Sequence, residues 1–301
     1  MCAIALILLS SCRVNVSVGS GDHLTGEEYP DAEKYKAGAF TYRADGIKAV
    51  EVYWRSGEVR ITESEKTELS AAESGGELSE ECAMHYLTDG GVLRIRFCAS
   101  GAGIRIDPTD KHLSLEVPKG IELSVHTTSA SVRADTLEQK SVFVSAHSGK
   151  TELGTVTAEN VDLSSSSGSV RADEISAQTV RCSASSGSVT LGSVSSEKLD
   201  CTTSSGDILI GSIRAETVGV EAKSGDVELG FDAVPSAEVR TSSGNVDIAL
   251  SSKGGAQVSY TSDSGKLRTE RSCERKGSLY VFGGGESSLA VETSSGNLQI
   301  K

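Results

Sequence analysis

The sequence predicts an all-β protein: a parallel β-helix, or β-solenoid, built of 19-residue coils behind an irregular N-terminal β cap. Three observations predict it. Ser-Gly pairs recur at Ser148-Gly149, Ser167-Gly168, Ser186-Gly187, Ser205-Gly206, Ser224-Gly225 and Ser243-Gly244, each nineteen residues after the last. Between them, apolar and polar residues alternate with the two-residue period of a strand, and no stretch follows the 3.6-residue period of a helix. The composition suits thin aliphatic layers, since aromatics make up only 4 % of the 301 residues while glycines number 32. A fixed internal period of this size marks a stacked array, and it is too short for a propeller blade of about 40–45 residues.

Counting from the residue after each glycine, position two reads Val132, Thr151, Val170, Val189, Ile208, Val227 and Val246. Position four reads Ala134, Leu153, Ala172, Leu191, Ile210, Leu229 and Ile248. Positions twelve and fourteen carry pairs such as Val161 and Leu163, or Val180 and Cys182, and position seven adds Leu137, Val156, Ile175, Val194 and Ile213. Alternation puts these side chains on one face of each strand, which must look inward. Coils stacked at the strand spacing of about 4.8 Å turn each position into a column. A single coil buries too little to order itself, so the ladder between neighbours must hold the fold. The glycine at position nineteen is expected to turn the corner with a positive φ. Outside, Arg133, Glu152 and Arg171 at position three, and Asp162, Arg181 and Asp200 at position thirteen, are expected to form ladders of alternating charge. Cys182 and Cys201 share an inward column and read as small core residues.

Regularity fails at both ends. Ser264-Gly265 comes twenty-one residues after the previous pair and Ser295-Gly296 thirty-one after that, with Gly283-Gly284-Gly285 in the insertion. The final Asn297-Leu298-Gln299-Ile300 repeats the post-glycine strand, which predicts a chain ending mid-coil with its last coil exposed. Upstream, Leu113, Leu115, Leu123 and Val125 fit one more coil turned at Pro118-Lys119-Gly120, so 112–301 is assigned to the regular solenoid. Residues 41–111, with strand-like Val50-Glu51-Val52-Tyr53-Trp54 and Val59-Arg60-Ile61, form the irregular cap or atypical first coils that blunt an open end. Residues 13–40 are polar and read as a flexible tether. Residues 1–12, MCAIALILLSSC, look like the end of a lipoprotein-type signal: an apolar run, then Leu9-Ser10-Ser11-Cys12. Cys12 is the expected site of lipid modification, although no Lys or Arg precedes the run. Cys82 and Cys98 flank a hairpin signal at Thr88-Asp89-Gly90-Gly91, which leaves open a disulfide or two free thiols.

Several functions are excluded. A net charge of −13 leaves no basic stripe to neutralise phosphate, so nucleic acid is not a partner. No apolar run reaches the ~18 residues of a membrane span. The five histidines are scattered, no CxxC occurs, and Gly283-Gly284-Gly285 is not followed by the Lys-Ser/Thr of a phosphate loop. Asp207 and Asp226 stack at position one with Asn245 next. Such a pair serves catalysis or calcium only where loops wall a cleft, and coils of equal length leave no such loop. No catalytic, cofactor-binding or metal-binding residue is assigned, and no cofactor is expected.

The run Val50-Glu51-Val52-Tyr53-Trp54-Arg55-Ser56-Gly57-Glu58-Val59-Arg60-Ile61, followed by Ser-Gly-x-Val-x-(Leu/Ile) units, resembles the bacterial adhesin-like family of β-strand-repeat domains, whose function is not known. Tyr29-Pro30-Asp31-Ala32-Glu33-Lys34-Tyr35, with Ala37-Gly38, is similar to the lead-in of its lipoprotein members. The resemblance implies a right-handed parallel β-helix on the cell exterior and brings no catalytic residue with it. The expected protein is therefore a non-enzymatic, lipid-anchored, extracytoplasmic interaction or scaffold protein that presents an acidic, Ser/Thr-rich face to a surface protein or glycan. The alternative is an envelope sensor or regulatory module that binds a membrane-protein partner. A polysaccharide-acting β-helix enzyme is the third.

Overall fold

The computed structural model of the protein describes residues 24–25, 27–75, 78–104, 111–233, 236–251, 255–285 and 287–301. The expected signal segment and Cys12 lie outside them. Regular coils are single long strands, among them Thr151–Ser165, Val170–Ala184, Val189–Thr203 and Ile208–Ala222, that bend around the core and meet at Ser-Ser-Gly corners. Each pairs in parallel with the next at a register shift of nineteen residues, so Val170 lies against Val189 and Val189 against Ile208. All three are at most 1 % exposed. The columns expected from the sequence are therefore physical columns.

The columns show a finer pattern. At position four the register stacks Ala134, Leu153, Ala172 and Leu191, alternating small with large. At position sixteen it stacks Thr127, Ala146, Ser165, Ala184, Thr203, Ala222 and Thr241. Alternating volumes let these layers interlock, and from Leu191 onward the position-four column continues large through Ile210, Leu229 and Ile248. Two of the inward hydroxyls also serve the corners: Thr203 Oγ1 accepts the amide of Gly206 at 3.0 Å, and Thr241 Oγ1 that of Gly244 at 3.0 Å.

The corner glycines are required for a reason other than the one expected. None of Gly149, Gly168, Gly187, Gly206, Gly225 or Gly244 has a positive φ. The corners hydrogen-bond to one another as the strands do; Ser186 N donates to Ser166 O at 2.9 Å. A Cβ on Gly187 would fall far inside contact distance of the Gly168 carbonyl oxygen. Close backbone approach, not left-handed geometry, selects glycine here.

Both ends depart from sequential stacking. At the C-terminal end, Ser236–Thr241 pairs with Ser287–Thr293, which pairs in turn with Ala256–Ser262. On the other face, Val246–Leu250 pairs with Leu298–Ile300, and that strand with Leu267–Thr269. The last segment of the chain is thus wedged into the penultimate layer, and an earlier segment forms the end. The expected exposed final coil is corrected: Leu298 and Ile300 are buried in full. The N-terminal end does the same. Ala49–Trp54 and Glu58–Ser64 form a layer between Val92–Arg96 with His112–Pro118 outside, and Glu122–Thr127 with Ser131–Glu138 inside. The coil expected across Pro118-Lys119-Gly120 is consequently split between two layers.

Antiparallel strands close each end: Glu68–Ser74, Phe40–Arg43 and His85–Asp89 at one, Leu279–Phe282 and Glu274–Lys276 at the other. Charged Glu274–Lys276 is exposed at every residue, which discourages edge pairing. The N-terminal cap also holds most of the large buried rings, with Trp54 and Phe97 edge to face at 5.0 Å. The segment expected as a tether is docked at its far end: Tyr29 is buried and its hydroxyl donates to Cys98 O at 2.9 Å.

Candidate binding groove

Past position seven, where Ala158, Ala177 and Ala215 pack part-buried against the core, four successive coils leave a concavity along the rod. It is a shallow, open groove of about 510 Å³. Its floor is the column Ala158, Ala177, Ser196 and Ala215; one side is lined by Thr157, Ser176, Ser195 and Arg214, the other by Gln178, Glu197 and Glu216. Small residues at position nine make the concavity, because any larger side chain would fill it. Hydroxyls, an amide and carboxylates then line a strip that repeats once per strand spacing. The lining sets no nucleophile against a base and holds no histidine or cysteine. It can hold a partner by hydrogen bonding, and its carboxylates disfavour an anionic one.

This groove was not anticipated, although the signal was present in the sequence as the run of Ala and Ser at position nine. The stacked acids singled out beforehand do something else. Asp207 Oδ1 accepts the amide of Asp226 at 2.9 Å, Asp226 Oδ1 that of Asn245 at 2.7 Å, and Asn245 Oδ1 that of Asn297 at 3.1 Å. Asn297 Oδ1 accepts from Lys266 N at 3.0 Å. Each side chain satisfies the exposed corner amide of the next layer, a structural ladder whose order, 207–226–245–297–266, records the wedged C-terminus. No group of three or more His, Cys, Asp or Glu side chains converges among the described residues.

The charge ladders form only in part. Arg133 meets Glu152 at 2.9 Å, and Arg181 reaches Asp162 at 3.9 Å. Arg171 instead bonds Asp173 of its own coil at 2.9 Å, and Asp200 is taken by Lys198 at 2.8 Å. A partner two residues along the same strand competes with the one across the ladder. Burial pushes the Asp162 carboxyl above the usual range, against the pull of Arg181. It also pushes the Cys182 thiol up to about 12 and that of Cys201 well above its ordinary value, so both are inert core groups. At the N-terminal end the outer face carries rings where the middle carries hydroxyls: Tyr53 and His126 stack at 4.8 Å, and His126 meets Phe143 at 5.2 Å. Arg96 lies 3.7 Å above the Tyr53 ring and 4.9 Å above that of Tyr29.

Residues 47–301 match the Toastrack DUF4097 family model. The chain belongs to that family. No functionally curated protein matches it. Among solved structures, this Toastrack chain is similar to a candidate adhesin from Parabacteroides merdae, with 14 % identity, a TM-score of 0.52, and coverage of 89 % of this chain and 96 % of that one. It is also similar to a candidate lipid-binding protein from Parabacteroides distasonis, with 16 % identity, a TM-score of 0.53, and coverage of 89 % and 97 %. At such identities the likeness is one of fold. Among the described residues of this Toastrack protein, no helix is long and apolar enough to cross a membrane.

Proposed function

We propose that this Toastrack protein is a non-enzymatic, adhesin-like interaction protein of the cell surface, anchored by lipid at Cys12. The observation that carries the reading is the groove of four coils, built from columns of Ala, Ser, Thr, Gln and Glu with Arg214 at one end. Such a surface offers hydrogen bonds at a repeat of about 4.8 Å and no catalytic pair. Its chemistry suits an extended, uncharged, hydroxyl-bearing chain, so a surface glycan is favoured over an anionic partner. The candidate adhesin among its structural neighbours supports the same reading.

The test uses the Cys12→Ser chain, soluble for lack of a lipid, on an array of neutral and anionic glycans. Retention of neutral glycans, weakened at least tenfold by Ala177→Arg and unchanged by Glu221→Arg on another face, is the expected result. Retention that ignores Ala177→Arg, or no retention at all, overturns the groove as the binding surface. The anchor has its own readout: a fatty-acid analogue should label the exported wild type and spare Cys12→Ser.

A further inference from the structure

We infer that Cys82 and Cys98 are an oxidation site, a thiol pair that closes to an intrachain disulfide by exchange with a low-molecular-weight disulfide. Both are free thiols in the structure. They stand at the open end of the antiparallel hairpin formed by His85–Asp89 and Val92–Arg96, in which His85 lies opposite Arg96. Beyond that pair the two chains remain tied. Ala99 N donates to Glu81 O at 2.9 Å, and a turn fixes the other side, where Ser79 O accepts both Cys82 N and Ala83 N at 2.9 Å. Lys111 Nζ, 5 % exposed, donates to Cys82 O at 2.6 Å and also to Phe97 O, while pairing with the Glu73 carboxylate at 2.8 Å.

Cys98 therefore sits between Ala99, whose amide is bound to Glu81 O, and Phe97, whose carbonyl shares the Lys111 ammonium with Cys82 O. The bond from the residue after Cys98 to the residue before Cys82 is one of the two that flank a non-hydrogen-bonded antiparallel pair, whose Cα atoms lie about 4.5 Å apart. That spacing lies within the roughly 4.4–6.8 Å over which a disulfide closes. In place of the second bond, Ala83 N turns to Ser79 O and the Lys111 ammonium takes Phe97 O. The two thiols also feel each other and the Lys111 ammonium electrostatically.

Exposure gives the order of events. Cys82 is half-buried and Cys98 buried. The Cys82 thiolate attacks one sulfur of the small disulfide, forming a mixed disulfide and releasing one thiolate. Cys98 then loses its proton to solvent and attacks the Cys82 sulfur, and the second small thiol leaves. The sum is two cysteine thiols and one disulfide giving one protein disulfide and two small thiols. Burial holds the Cys98 thiol above its ordinary range, and the Lys111 ammonium works against that, favouring the thiolate needed for the second step.

The remaining described cysteines act as internal controls. Cys182 and Cys201 are fully buried, and Cys273 is half-buried with no cysteine facing it. The native full chain is incubated with oxidised glutathione, unfolded in an alkylating agent, and peptide-mapped by mass spectrometry. The expected result is a Cys82–Cys98 cross-linked peptide two hydrogens lighter than its reduced parts, with Cys182 and Cys201 alkylated. In Cys98→Ser, where nothing can resolve the mixed disulfide, Cys82 should retain glutathione. Recovery of both Cys82 and Cys98 as alkylated thiols, or of wild-type Cys82 as a lasting glutathione adduct, would overturn the pair.

Discussion

From residue 150 to 225 each layer of the solenoid follows its predecessor in the chain; at the two ends it does not. A purely sequential solenoid is close to one-dimensional, and its last coil is held by one neighbour and can fray. Here the segments 49–64 and 287–301 are each clamped between layers drawn from other parts of the chain. Removing such a segment breaks two interfaces instead of one. The middle of the molecule is a repeat, and its ends convert the repeat into a closed unit that cannot peel off one coil at a time.

The largest expected effect breaks this comparison directly. Deleting residues 287–301 removes Leu289, Val291, Leu298 and Ile300, all at most 2 % exposed, at roughly 1.5–3 kcal/mol of burial each. It also takes away the parallel partners of 256–262 and 267–269. Hydrogen exchange should show protection lost across 256–282 while 131–231 stays protected. Undiminished protection in 256–282 would mean that the outer coil re-docks on 236–250, and that interleaving adds nothing.

A smaller effect separates the two ways a glycine can be required. Gly187 sits at a corner of the regular middle, under the backbone of the preceding coil; Gly277 lies in the C-terminal cap with φ +64° and nothing within 4 Å of a Cβ. Gly187→Ala must push two layers apart and is expected to cost about 3 kcal/mol or more. Gly277→Ala suffers only left-handed strain, about 1–2 kcal/mol. Denaturant midpoints measure both. Equal losses would show that the corners tolerate movement and that the layers are less tightly stacked than the register implies.

The same contrast explains what the sequence made legible. Val170, Val189 and Ile208 could be placed in one column because period and alternation are local properties of the chain. The reason for glycine at position nineteen was misread, because a close approach between layers depends on how corners stack and a positive φ does not. The small–large alternation was visible in Ala134, Leu153, Ala172 and Leu191, yet its meaning needs the register that sets one side chain on the next. The groove was hidden for a similar reason: Ala158, Ala177, Ser196 and Ala215 mark a concavity only once the stacking of the residues on either side of them is known. Interleaving was beyond reach, because Leu298 reads as a post-glycine strand residue whether it ends the rod or sits one layer inside it. Nothing in a repeat specifies which copy is its neighbour once the spacing breaks.

The smallest expected effect concerns the outer face, where the N-terminal end carries rings and the middle carries serines. His126 lies between Tyr53 and Phe143, and burial holds its imidazole below the ordinary histidine range; Arg96 acts in the same direction and Glu51 against it. With a folded value below the unfolded one, the unfolded chain takes up the proton first as pH falls. Stability is therefore level above about pH 6.5, declines as pH drops from there toward the folded value, and then levels again. The partly exposed site keeps the change below about 1 kcal/mol. His126→Gln should flatten that step in melting temperature between pH 7 and 5. A step that survives His126→Gln would place the titrating group elsewhere, and would leave the ring column with no part in distinguishing this end from the middle.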